Sequence, residues 1–574
     1  MYLNRVNIPY GRAFALGFAL VLGLAACGQK PAEGAAATPA AQGADTIYVG
    51  GDILTMEGDA PQYVEALAVK DGKIVFVGSK ADADKLKGAA TVTKDLQGKA
   101  LLPGFIDTHV HWGQFVLLSA LDEVNPAQVG NVDAYLQHMK EVAAKTPEGE
   151  WVINYGYEKL MVPPYRNLTR EDLDRVSTKH PIFALYKNMH WATANTAALT
   201  KLGIDRKSPT EMAGGGVIFK DKKGEPTGLL TESAVYVVGP IAAAQVSPEK
   251  QATLPFEIGK QLSANGLTTI ADMSSGSSGG ANEILALQKL ANDERFPLRL
   301  SATVMVDVLP QMERPIPWDG RFQATSCKLL MDASLAGGTA ATLKPQRNGS
   351  TGNLNCSPQS YQEAIQTCMD KGFSVSTHVM GDRAHKVMLQ ALENLATKFD
   401  YGKFHHTVEH SALIDPADLP RIEKLNLSVG FLTPFLHAYG DPLRDMVLGD
   451  AMASRLFAAA DYDKAGIGTA HHSDGPIVEA RPMYLVWSAV NRTTVSGKVL
   501  GAELRQPAYA ALLGVTRNPA RQLGLGDEIG SLKVGKRADF ALLSENPIKV
   551  DPMKIKEVAV LETIKSGKLY FAKP

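Results

Sequence analysis

The sequence predicts an α/β protein built on a closed (β/α)8 barrel, and three observations predict it. Eight apolar runs of strand type recur along the chain, and helical stretches such as "SYQEAIQTCMDKG" and "AHKVMLQALENLATKF" alternate with them. Together they fill a span of about 400 residues, within the range of such barrels. The full length of 574 residues leaves room for smaller parts besides. Apolar content of 45%, charged content of 21% and a formal net charge of -1 describe a soluble globular chain. No basic excess favours nucleic acid, so the expected partner is a small-molecule substrate.

Taken in order, residues 1–27 read as a lipoprotein signal peptide. Arg5 and Arg12 precede the run "AFALGFALVLGLAA", which is shorter than the roughly 20 apolar residues of a membrane span and stops at Cys27. "LAAC" resembles the lipobox of bacterial lipoproteins, which makes Cys27 the expected lipid anchor to the membrane. Gly28, where an aspartate is absent, implies by the same resemblance the outer membrane of a Gram-negative cell envelope, and the periplasmic face is expected. Residues 28–45 are small residues and proline and read as a flexible tether.

Residues 46–103 alternate in polarity and turn at "DGK", and residues 525–574 repeat the style in "GSLKVGKRADFALLS" and "VLETIKSGKLYFAK". They predict one small β-sandwich domain assembled from both chain ends. The barrel then occupies 104–524, with strands expected in "LLPGFIDTHVH", "GLTTIADMS", "LRLSATVMV", "CKLLMDAS", "FSVSTHVMG", "HHTVEHSAL", "LSVGFLTPF" and "AGIGTAHHSD". Residues 113–260 are too many for one crossover and are expected to form an insertion after the first strand, covering the barrel mouth. After Cys27 three cysteines remain. Cys356 and Cys368 are close in sequence and outside the expected strands, so a bridge, if one forms, is expected between them, with Cys327 a buried strand residue.

The chemistry is concentrated where the strands end. His109 and His111 stand two apart and share one face, and two neutral imidazoles at that spacing suit Zn²⁺. His378, His410 and Asp474 end three further strands. Lys328 lies within an apolar strand, where it must shed its charge or find a partner. A carbamate formed with CO₂ would turn it into an anion able to bridge two metals, whereas snorkelling or pairing with Asp332 is the plainer reading. His138, His180 and His385 read as surface or packing residues. His405 and His406 begin strand six at the wrong end for catalysis, and His471 alternates away from Asp474.

"LLPGFIDTHVH", "CKLLMDASLAGGTAA", "HVMGDRAHKVMLQALENLA", "VEHSAL", "HHSD" and "GSLKVGKRADFALL" together resemble the amidohydrolase superfamily of metal-dependent TIM-barrel hydrolases. "NMHWATANTAAL" and "GEPTGLLTESA" are similar to the subgroup containing N-substituted formamide deformylases. The resemblance implies two divalent metal ions, with His109, His111 and Asp474 on one, His378 and His410 on the other, and Lys328, N6-carboxylated, bridging them. It implies hydrolysis of an amide or related C–N bond by a metal-activated hydroxide, with Asp474 as proton shuttle. Zinc is favoured by the histidine-rich set. His190, in the insertion, and His437, after strand seven, are further candidates to bond the oxyanion or the leaving group. The pattern leads one to expect glycine at Ala333, glutamine at Thr433 and glycine at His472. Other readings keep the fold and metals but change the bond to a lactone, a cyclic imide, a ring amine or a dipeptide, or retain the site only to bind a ligand. A homo-oligomer is compatible with all of these.

Overall fold

The computed structural model describes residues 43–212 and 215–574. The signal sequence, Cys27 and most of the tether fall outside the described residues. Eight parallel strands form the barrel: β1 (Phe105–Val110), β2 (Leu267–Ser275), β3 (Arg299–Met305), β4 (Phe322–Leu330), β5 (Ser374–Val379), β6 (Thr407–His410), β7 (Ser428–Phe431) and β8 (Thr469–His471). They pair in sequence order from β1 to β8, each overlapping one predicted run, although β4 begins five residues before "CKLLMDAS". The two ends approach through a parallel bridge between Val110 and Gly475, just past β8, so the cylinder is nearly closed. Strands covered on both faces read as continuous apolar runs, and β2 is buried at all nine positions.

Residues from both chain ends form a second, eight-stranded sheet in which Phe540–Leu543 pairs antiparallel with Ala100–Pro103. It is keyed to the barrel by a buried ion pair, Arg299 Nη1 to Asp539 Oδ2 at 2.5 Å, and by Lys565 Nζ donating to the Phe296 carbonyl at 2.8 Å. Both charges end in partners, as buried charges must. Between β1 and β2 a six-stranded sheet spans Asp122–Glu123 to Pro226–Thr231, and its Tyr155 hydroxyl donates to the Pro476 carbonyl at the barrel mouth. Tyr157 packs instead beneath that sheet against Tyr135 and Tyr186. No helix among the described residues is long and apolar enough to cross a membrane.

The disulfide joins Cys327 to Cys368, with Cα atoms 6.1 Å apart, which corrects the expected pairing of Cys356 with Cys368. Cys368 lies near the end of the helix Pro358–Asp370 and Cys356 precedes its start. A helix rises about 1.5 Å per residue, so the two are held well beyond the 4.4–6.8 Å that a disulfide spans. Cys327 alternates with Lys328 and faces outward, onto that helix. Replacing Cys368 with serine should lower the unfolding free energy by about 2–4 kcal/mol, read as a lower urea midpoint. An unchanged midpoint would show that this bridge does not constrain the chain.

Candidate metal centre

Alternation along β1 sends Asp107 and His109 to the barrel interior, with His111 following in the same phase. His109 and His111 lie at the C-terminal end of the strand, the end where such folds build their sites, with Asp107 one step deeper. Asp474 meets this pair from the far side of the closure. Its Oδ1 lies 3.3 Å from His109 Nε2 and 3.1 Å from His111 Nε2, and its Oδ2 is 4.0 Å from His410 Nδ1. Lys328 Nζ stands 3.4 Å from His109 Nε2. The His410 ring is centred 4.6 Å from that of His109 and 4.5 Å from that of His378. The six residues expected to bind metal therefore gather in one place from five different strand ends.

Two of them depend on unusual backbone. His410 has φ of 69° and Asp474 of 53°, left-handed values that L-residues adopt at a cost of about 1–3 kcal/mol. At His410 the consequence is visible. Its neighbour Glu409 faces the barrel interior, so alternation would turn His410 outward, but the left-handed twist brings both side chains to the site.

Each of three imidazoles is fixed by a partner on its other nitrogen. His109 Nδ1 donates to Glu409 Oε2 at 2.9 Å, His111 Nδ1 lies 3.1 Å from Ser274 Oγ, and His378 Nε2 donates to the Ala333 carbonyl at 3.1 Å. This is the arrangement that orients metal-binding histidines. It leaves His109 Nε2, His111 Nε2 and His378 Nδ1 for an ion. Glu409 is itself held by Ser376 Oγ at 3.0 Å, Thr407 Oγ1 at 2.8 Å and Gln522 Nε2 at 3.2 Å.

The donors fit a divalent cation. His410 Nδ1 and Asp474 Oδ1 are buried without a hydrogen-bond partner, which native interiors rarely tolerate. Donor atoms of His109, His111 and Asp474 all lie within 4.8 Å of one another. Burial, reinforced by Lys328, holds His109 well below its ordinary pKa and His378 at about 3, so these rings are neutral as ligands must be. Burial also pushes the Lys328 amine down, toward the neutral form that reacts with CO₂. Burial opposes the charge of Asp474, but His111 and the surrounding imidazoles outweigh it and keep the carboxyl below its usual range.

The amidohydrolase family model matches residues 92–571. The chain belongs to that family. It is 28% identical over 554 residues to the amidohydrolase YtcJ of Bacillus subtilis, covering 92% of this chain and 99% of that protein. It is 24% identical over 542 residues to an N-substituted formamide deformylase of Arthrobacter pascens, covering 92% and 98%. Its fold is that of an uncharacterized metal-dependent hydrolase from Pyrococcus horikoshii, with a TM-score of 0.70 at 22% identity over 88% of this chain and 99% of the other. As a member of this family the chain is an enzyme, and a histidine and aspartate metal-binding site is present in it.

The two remaining site candidates of this amidohydrolase fall in different places. His190 lies beside the cluster, its ring centred 6.1 Å from that of His378 and its Nδ1 bonded to Glu232 Oε2 at 2.7 Å. Burial opposes its charge, but Glu232 prevails and raises its pKa. His437 contacts the Thr493 carbonyl and the rings of Tyr484 and Trp487, none of which belongs to the cluster. Asp107, Ser274, Glu409 and Glu232 were not singled out in the sequence. The available signal was a buried acid within an apolar strand, present in "FIDTHVH" and "HTVEHS" alike. His385 is a buried packing residue bonded to Ser411 Oγ at 3.0 Å, and His471 points outward against Gly514.

Glu409→Ala should leave His109 Nδ1 without an acceptor and weaken metal affinity by about 10–100-fold, measured by chelator competition on the purified chain. Wild-type affinity in a folded variant would show that the carboxylate does not orient the ring.

Proposed function

We propose that this chain hydrolyses a C–N bond of a small molecule, an amide, with two divalent ions held at the barrel mouth. The observation that carries the reading is Asp474, a buried carboxylate set among His109, His111 and His410 with one oxygen lacking a hydrogen bond. His109, His111 and Asp474 would hold one ion and His378 and His410 the other, and Lys328, carboxylated on Nζ, would supply oxygen ligands beside them. Bound there, the ions supply Lewis acidity toward the substrate oxygen and an acidified water, whose pKa a single Zn²⁺ already lowers to about 7. Asp474 accepts the proton of the attacking water and delivers it to the leaving nitrogen. His190, whose Nδ1 is engaged by Glu232, keeps Nε2 for the developing oxyanion. A relative of nearly the same span is named N-substituted formamide deformylase, so N-formyl and N-acyl amines head the substrate screen.

The chain acts in the cell envelope, anchored through Cys27. The lipobox motif supports this, and so does the disulfide between Cys327 and Cys368, a bond typical of oxidising compartments.

Asp474→Asn should lower kcat by about 10²–10⁴ while retaining about two ions per chain by elemental analysis, and Lys328→Ala should lose part of the metal. Removing the ions with a chelator should abolish turnover, and zinc should restore it. Full activity in Asp474→Asn would exclude the proton-shuttle role.

A further inference from the structure

One histidine at the base of the cluster has no role in the scheme above. His472 follows β8 by one residue and is fully buried. Its ring stacks on His109 with centroids 4.6 Å apart and 24° between planes, and meets His410 edge-on at 5.1 Å. Neither of its ring nitrogens has a hydrogen-bond partner. Leaving a buried polar group unsatisfied costs about 1–3 kcal/mol, so a ring kept there for packing alone would be a poor choice. The nearest carboxylate oxygen, Glu409 Oε2, is 4.0 Å from Nε2 and is already taken by His109 Nδ1.

Space for this ring is made by the facing strand. A Cβ at Gly430 would stand 3.1 Å from His472 Cδ2 and 3.0 Å from Glu409 Oε2, so any larger residue there would crowd both. The result is a second set of donors below the one that holds Asp474. Nitrogens of His109, His410 and His472 all lie within 4.8 Å of one another. Zn–N bonds of about 2.0–2.1 Å place tetrahedral donors roughly 3.3 Å apart, within reach of small side-chain rotations.

We infer that His472 is a metal ligand of this chain, joining His109 and His410 around one ion at the base of the site. The inference rests on the metal reading above and changes it. His109, whose Nδ1 is held by Glu409, and His410 then meet on one ion instead of binding one each, and the three-imidazole donor set favours zinc, cobalt or copper over magnesium or manganese. It also explains how the chain tolerates a histidine where its motif leads one to expect glycine. Ring nitrogens that burial alone would penalise are satisfied by coordination.

The test uses the full chain stripped by chelator and reloaded with Zn²⁺ or Co²⁺ alone. His472→Gly should weaken the affinity for one of the ions by at least about 10–100-fold and alter the visible spectrum of the cobalt form, with the circular dichroism of the chain unchanged. A folded variant with wild-type affinity and cobalt spectrum would overturn the inference. A crystal structure of the zinc-loaded wild type decides independently of any variant: a His472 nitrogen at about 2.0–2.1 Å from zinc is expected, and a ring turned away from both ions overturns it. Failure of the wild type to bind metal at all would instead overturn the underlying metal reading, a different outcome from normal binding that ignores His472.

Discussion

The carboxylate of Asp107 holds together the one seam on which the site depends. The barrel closes between β1 and the segment after β8, and there the strands share only the bridge from Val110 to Gly475 and the bond from His111 N to the Gly475 carbonyl. Asp107 spans that seam. It accepts from His109 N at 3.1 Å on its own strand, and from Ser473 N at 3.2 Å and Ser473 Oγ at 2.6 Å across it. Its burial, only partly offset by these bonds, pushes its pKa up to about 7. The residues it grips adjoin His109 and Asp474 in sequence. One buried acid thus sets the distance between a histidine and a carboxylate separated by most of the chain.

Around that seam the interior is polar, where barrels of this kind are usually filled by branched aliphatic side chains. Ser376, Thr407 and Gln522 converge on Glu409, and Glu409 on His109. A polar network in low dielectric is costly unless it is complete. At the mouth and just beneath it His410, His472 and Asp474 keep buried atoms without hydrogen-bond partners, and within the network Gln522 Oε1 does so too. Two of these residues, His410 and Asp474, also have left-handed backbone. Strain and orphaned donors gathered at one place mark a site whose stability is sacrificed to ligand binding.

The barrel and the metal cluster were legible in the sequence because both rest on short-range rules. Strand alternation places His109 with His111, and the end of each apolar run marks the barrel mouth where His378, His410 and Asp474 stand. The residues that orient these ligands were not legible in the same way. Asp107 and Glu409 act across strands that only the closed barrel brings together, and Glu232 reaches His190 from 42 positions away. The disulfide was misread for a related reason. Cys356 and Cys368 are neighbours along the chain, but a helix separates them, whereas the outward phase of Cys327, opposite to Lys328, carries it to Cys368. His472 was visible as a departure from the motif, yet its place against His109 and His410 follows only from the three-dimensional register of β8.

The division between what the barrel and the insertion contribute explains why reaction class is easier to read than substrate. Every residue assigned to metal belongs to the barrel strands or the residues just beyond them, and their positions follow from the closed sheet. The groups that could meet a substrate come instead from the insertion. Its Tyr155 hydroxyl is tied to the Pro476 carbonyl just past Asp474, and its His190 stands over His378 on a bond to Glu232, itself at a left-handed φ of 49°. The insertion therefore carries its own strained residue at the point where it meets the metal cluster. It meets the mouth through polar contacts and through apolar packing of Leu160 and Met189, whereas the ligands lie on the barrel strands or just beyond their ends. Changes in the insertion can therefore reshape the pocket while leaving the barrel residues of the cluster in place.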